Sequence, residues 1–272
     1  MSLRRYCVGC LGLLVVSAVA PERAAAFVVG GFDASRGGFE SLAPGEDSAL
    51  ASDIQTAYPG TTFQFSNTLT PTFLGAVNVV ILGVATTDLS AITPLSSAEQ
   101  SALSGFVLHG GTALIFTDNS GFSFDAPEAN ASLVAPFGVT VTGNLAGNLT
   151  APIINPTGPL TGPFGPVSVF QTSFPGYYSN IGSGKDLANI SNNPAETAID
   201  YFAPAVLGPT SGAVVLFSDS NAMVAGDALT STNLDLMLNA FNFTGKAVPE
   251  PGSLAILGAA LAGLVVTRRR RL

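Results

Sequence analysis

Two stretches decide the fold: Asn78-Val79-Val80-Ile81-Leu82-Gly83-Val84 and Thr112-Ala113-Leu114-Ile115-Phe116-Thr117-Asp118. They carry the strands read at Val77 to Val84 and Thr112 to Thr117, each a largely β-branched or apolar run, the pattern of a strand buried on both faces of a sheet. Between them lies a helix signal. Ser96 and Glu99 have the spacing of a capping box, Ala102, Leu103, Phe106 and Val107 form an apolar stripe, and Gly110-Gly111 closes the segment. Strand, helix, strand in this order predicts a parallel pair with a crossover helix.

The same reading extends outward. Ala26 to Gly31 and Thr61 to Phe65 read as strands, with a helix from Asp47 to Tyr58 between them. Val214 to Ser218 reads as a late buried strand, and Asn233 to Phe243 as a closing helix. From about 120 to 210 the chain changes character. Pro136, Pro152, Pro156, Pro159, Pro163, Pro166 and Pro175 fall there among many Gly and Asn residues. This predicts a Pro/Gly-rich insertion of loops and hairpins. The expected body, residues 27–246, is one α/β domain with a mostly parallel sheet.

The succession 78–83, Leu95-Ser96 with Glu99, Phe106-Val107, Gly110-Gly111 and 114–118 resembles the class I glutamine amidotransferase-like fold. It is closest to that fold's ThuA-like, non-amidotransferase branches. The resemblance implies a flavodoxin-like three-layer sandwich. Catalytic members use a Cys at a strand-to-helix turn with a His partner. Both cysteines of this chain, Cys7 and Cys10, precede the body, so that chemistry is not carried over and no catalytic residue is assigned.

Both ends read as addresses. Arg4 and Arg5, the apolar run Cys10 to Ala20 and the small residues Ala24-Ala25-Ala26 predict a signal peptide over 1–26, cut by signal peptidase. At the other end, Val248, Pro249, Glu250, Pro251 and Gly252 precede an apolar stretch from Ser253 to Val266 and then Arg268, Arg269, Arg270 and Arg271. This order predicts a short C-terminal transmembrane helix with a stop-transfer block kept inside by its charge. Residues 247–272 resemble the PEP-CTERM sorting signal of Gram-negative bacteria. The resemblance implies an exosortase as processing partner and an intermediate anchored in the inner membrane. It further implies a destination at the cell surface or outside the cell, in the setting of exopolysaccharide and biofilm.

Charge narrows the remaining choices. Between 27 and 246, three basic residues (Arg36, Lys185, Lys246) face sixteen acidic ones, a net charge near −13. Such a surface repels nucleic acid and other polyanions. It suits solubility, cations or neutral sugars. One His and two Cys exclude a polyhistidine metal site and a disulfide scaffold. No cofactor or metal is expected.

In an open parallel sheet, ligands bind beyond the carboxyl ends of the strands. Asp33, Asp88, Asp118 and Asp219 follow strands, and Asn119, Ser218, Ser220 and Asn221 accompany them. Asp33, Asp118, Asn119, Asp219 and Asn221 are therefore the candidate ligand-binding residues. The expected function is a non-catalytic, exported surface or matrix protein with a binding or structural body. The alternative is a carbohydrate-active hydrolase, or a sugar- or cation-binding domain, using the same acidic end of the sheet. Asp, Asn and Ser are also ordinary turn and cap residues, which is the plainer reading of each.

Overall fold

The computed structural model describes residues 26–37, 40–44, 48–84 and 93–243. In chain order the strands are β1 (Val28–Phe32), β2 (Thr62–Ser66), β3 (Val79–Leu82), β4 (Thr112–Phe116), β5 (Thr140–Thr142), β6 (Asn148–Pro152), β7 (Thr161–Gly162), β8 (Gly165–Pro166), β9 (Val169–Ser173), β10 (Tyr177–Asn180), β11 (Lys185–Asn189), β12 (Thr197–Phe202) and β13 (Val214–Phe217). The α-helices are α1 (Ala34–Gly37), α2 (Ser48–Ala57), α3 (Pro71–Gly75), α4 (Ser97–Leu108), α5 (Ala126–Val134) and α6 (Ser231–Ala240).

A nine-stranded sheet forms the centre, in the order β2-β1-β3-β4-β13-β12-β10-β5, with β11 also paired to β12. The first five strands run parallel. Beyond β13 the pairing turns antiparallel. The parallel part matches the expectation from sequence. Val79, Ile81, Leu114, Phe116, Val215 and Phe217 point to one face, where α2 packs Leu50 and Ile54 and α6 packs Leu236 and Met237. Val80, Leu82, Ala113, Ile115, Val214 and Leu216 point to the other, against Leu103, Phe106 and Val107 of α4 and Ala129 and Leu133 of α5. Alternate side chains thus feed two cores, so the strands contain little but apolar residues. The result is a three-layer α/β sandwich.

The capping box of α4 forms as expected. Ser96 accepts from the Glu99 N–H, and Glu99 accepts in return from the Ser96 N–H. The helix ends at Gly110, whose φ of +88° is the left-handed geometry that favours glycine. Glu99 does more than cap. It also pairs with the buried guanidinium of Arg36 and accepts from the Leu69 N–H at 3.1 Å. This single cluster ties α1, the chain before α3, and α4 together.

The stretch 120–210 departs from expectation. It does hold hairpins, including β6–β9 and β7–β8. It also supplies α5, a core helix, and β12, a central strand with all six residues buried. Asp200 sits in the middle of β12 and breaks the apolar run that would have marked it. Helix α3, capped by Thr70 with Pro71 at its first position, is too short to leave a helical period in the sequence. The signal segment 1–25, Asp88, the motif Val248–Pro251, the apolar stretch 253–266 and Arg268–Arg271 lie outside the described residues. Among the described residues no helix is long and apolar enough to cross a membrane.

Candidate functional site

Strands β4 and β13 are parallel neighbours with Phe116 beside Phe217. Their carboxyl ends therefore deliver Asp118 and Asp219 side by side. Asp118 is 6% exposed and Asp219 is wholly buried. Each is held by donors. Asp118 Oδ1 accepts from the Asn119 N–H at 2.6 Å and from Asn119 Nδ2 at 3.1 Å, and its Oδ2 accepts from the Ser220 hydroxyl. Asp219 Oδ1 accepts from the Asn221 N–H at 2.9 Å, capping the turn that follows, and its Oδ2 accepts from the Ser173 N–H.

Side-chain amides fix the surrounding loops. Asn130 of α5 clamps the Asp118 backbone from both sides: its Oδ1 accepts the Asp118 N–H at 2.9 Å and its Nδ2 donates to the Asp118 carbonyl at 2.7 Å. Asn119 Nδ2 donates to the Phe174 carbonyl and Asn221 Nδ2 to the Ser173 carbonyl, each at 2.8 Å. These bonds draw the β9–β10 connection over the strand ends. Gly176 makes the approach possible, since a Cβ there would stand 2.8 Å from the Asp118 carbonyl oxygen.

The outcome is an open cleft of about 440 Å³, lined by Asp118, Asn119, Gly121, Phe122, Asn144, Phe174 and Asn221. Phe174 stands at φ +53°, directly before Pro175. A bulky residue before proline is strained there. Its ring is 51% exposed and forms part of the cleft wall.

A third carboxyl group lies behind the floor. Glu40 is 5% exposed, and neither of its oxygens has a hydrogen-bond partner of normal geometry. It packs against Gly83, where a Cβ would come 2.5 Å from Oε2. Burial pushes Glu40 well above the ordinary carboxylate range, and the negative charges of Asp118 and Asp219 push it further, with Ser220 and the Val84 N–H easing the effect. Burial likewise raises Asp118 to about 6, against the hydrogen bonds from Ser220 and Asn119. Asp219 is raised well above its usual value by burial and then by Asp118. Among the described residues no group of three or more His, Cys, Asp or Glu side chains has the arrangement of a metal centre.

Of the residues singled out from sequence, Asp118, Asn119 and Asn221 meet at the cleft. Asp219 stands behind it and does not face it. Asp33 is elsewhere: its Oδ1 accepts from the Ser35 N–H at 3.0 Å and the Ser35 hydroxyl at 2.6 Å, a local turn at the start of α1. His109 closes α4, with Nδ1 2.6 Å from the Gly105 carbonyl. Phe122, Asn144, Phe174 and Glu40 join the site without having been expected there. The Phe174-Pro175-Gly176 turn carried a signal, an aromatic residue set in a turn. Glu40 carried none.

A model of the PEP-CTERM protein-sorting motif matches residues 247–271. No curated protein matches the chain by sequence. Among solved structures, the N-terminal domain of mmIFT52 is similar at 11% identity and TM-score 0.55, covering 81% of this chain and 97% of its own. A cytoplasmic protein from Salmonella typhimurium is similar at 12% identity and TM-score 0.52, covering 80% and 98%. A ThuA-like protein from Bacteroides uniformis aligns at 13% identity and TM-score 0.46, covering 80% and 89%. At these identities the likeness is one of fold. The sorting motif implies an exported protein, held in the membrane before an exosortase processes it. The chain thus carries a PEP-CTERM protein-sorting motif at residues 247–271, behind a body of mixed α/β fold.

Proposed function

We propose that the chain is an exported, exosortase-processed surface protein whose body, residues 27–246, binds neutral saccharide of the extracellular matrix. In this reading residues 1–26 are removed by signal peptidase. The C-terminal stretch anchors the intermediate in the inner membrane until it is processed. The observation that carries the binding role is the composition of the cleft wall. It sets two aromatic faces, Phe122 and Phe174, beside the polar groups of Asp118, Asn119, Asn144 and Asn221. A sugar presents the complementary pair: an apolar C–H face and a ring of hydroxyls that both donate and accept. The acidic body disfavours polyanions and leaves neutral polymers as the better partner.

Hydrolysis is the second reading, favoured by the raised Asp118 at the cleft. Glycoside cleavage normally needs two carboxyl groups flanking the bond. Among the described residues Asp118 is the one carboxylate on the cleft wall, and Glu40 and Asp219 stand buried behind it. Binding is therefore the reading we hold. A neutral-glycan array probed with the full-length chain in mild detergent tests it. Retention of a neutral glycan, lost in Asn119→Ala and Phe174→Ala, supports binding. Retention unchanged by both variants contradicts a role for the cleft. Cleavage of the glycan, abolished by Asp118→Asn, would replace binding by hydrolysis.

A further inference from the structure

A second polar site lies away from the cleft, on the ladder between β11 and β12. The antiparallel register sets Asp186 directly opposite Asp200. Side chains of such a pair stand on the same face, with Cβ atoms about 5 Å apart. Asp200 is wholly buried, and among the described residues neither of its oxygens has a hydrogen-bond partner of normal geometry. Asp186 Oδ1 is buried and likewise has no partner of normal geometry among the described residues, while its Oδ2 accepts from Asn189 Nδ2 at 2.6 Å. Three carboxylate oxygens thus lack a hydrogen bond of normal geometry, with the Tyr201 N–H the nearby donor at Asp200 and the Thr197 hydroxyl and Ala188 N–H those at Asp186.

Among the described residues no base answers them. Lys185, the neighbour in sequence, turns away and donates to the Thr157 hydroxyl at 3.3 Å. On the other side of Asp200, β13 presents Leu216. The titratable group facing Asp200 from β10 is Tyr178, whose hydroxyl is engaged with that of Thr117. Gly184 completes the surroundings: a Cβ there would lie 2.0 Å from Asp200 Oδ1, so only a residue without a side chain leaves the carboxylate its room. An unpaired buried carboxylate is costly unless it is neutralised or bound to a cation.

We propose that Asp186 and Asp200 hold a calcium ion that braces the β11–β12 hairpin against the sheet. Calcium suits the pair because it takes six to eight oxygens in loose geometry, carboxylates, backbone carbonyls and water together. Two carboxylates, not three, distinguish this site from a preformed metal cage. It is independent of the saccharide cleft and shares no residue with it.

The test uses the full-length chain in mild detergent, stripped with EDTA and melted while CaCl2 or MgCl2 is added. At calcium one hundred times Kd, Tm should rise by about 5 °C or more. The rise should be smaller with magnesium and absent in Asp186→Asn and Asp200→Asn, but kept in Asp118→Asn. Asp186 is only partly buried, so its variant serves if Asp200→Asn fails to fold. A wild type that calcium leaves unchanged overturns the proposal. So does a calcium shift that survives Asp186→Asn. Stabilisation by acid alone, with no calcium response, would mean that the two carboxyl groups share a proton instead.

Discussion

The Ser220 hydroxyl donates to Asp118 Oδ2, a bond between two residues 102 apart in sequence that follow the ends of parallel strands. The bond joins the turn after β13 to the turn after β4, and it links the buried acids behind the cleft to the one acid on its wall. Removing it leaves a buried carboxylate oxygen without its donor. Ser220→Ala should therefore push the Asp118 carboxyl above its value of about 6 and cost about 1–3 kcal/mol. Carboxyl 13C chemical shifts followed against pH check the first claim and urea unfolding the second. An Asp118 titration that stays in place would contradict the geometry.

Asn130 is a positioning residue of the same site. It has no atom on the cleft wall, yet it holds both the N–H and the carbonyl of Asp118. Asn130→Ala orphans two buried backbone groups and should cost about 2 kcal/mol or more in urea unfolding. Asn130→Asp, which keeps the acceptor and loses the donor, should fall between wild type and Ala.

The Arg36–Glu99 pair should behave as a buried ion pair. Either Arg36→Met or Glu99→Gln leaves a buried group without its partner, at a cost of about 3–5 kcal/mol. The two changes together should cost less than their sum, because neither charge is then left alone. Additive losses in a double-mutant cycle would show that the two side chains act separately.

Stability should rise as pH falls from 8 to 5 in cation-free buffer. Burial raises Asp200 to about 8 and Asp118 to about 6, and holds Glu40 and Asp219 well above their ordinary range. A raised acid binds more protons folded than unfolded, so its contribution is full below the unfolded pKa near 4 and is lost as pH climbs through the folded value. Glu99 works the other way. Burial opposes its ionisation, but the bonds from Arg36, Ser96 and Leu69 outweigh that and lower it to about 2. Its contribution is present above about pH 4 and fades as pH falls toward 2. Melting curves across pH 2 to 9 should show a maximum on the acid side of neutrality. Asp200→Asn should raise Tm at pH 8 and flatten the slope between 6 and 8.

The parallel half of the sheet was legible because double burial writes itself as apolar runs, as in 79–82 and 112–116. Helix α4 was legible because Ser96 and Glu99 spell its cap. The antiparallel half was not, because Asp200 interrupts the apolar run of its central strand β12. Asp118, Asn119 and Asn221 could be placed at one end of the sheet from strand order alone. Phe174, Asn144 and Glu40 could not, since they reach that end through loop folding, which leaves no period in the sequence.

Phe174 separates stability from binding. Phe174→Gly relieves the strained backbone and removes a half-exposed ring, so it should stabilise the fold by about 0.5–1 kcal/mol. Phe174→Ala keeps the strain and brings no such gain. Both remove the aromatic face, and glycan affinity should fall about tenfold or more in each. A stabilised Phe174→Gly that binds as the wild type does would remove the ring from the proposed site.

Above all, the C-terminal motif should govern where the body goes. Intact mass and membrane fractionation in the native host test this directly, comparing wild type with a variant whose Pro249, Glu250 and Pro251 are all replaced by Ala. The wild type should lose its tail near residue 250 and leave the membrane, and the variant should keep Arg268–Arg271 and stay there. If both retain the arginine tail and remain in the membrane, the protein is simply anchored and sorting through the motif is contradicted.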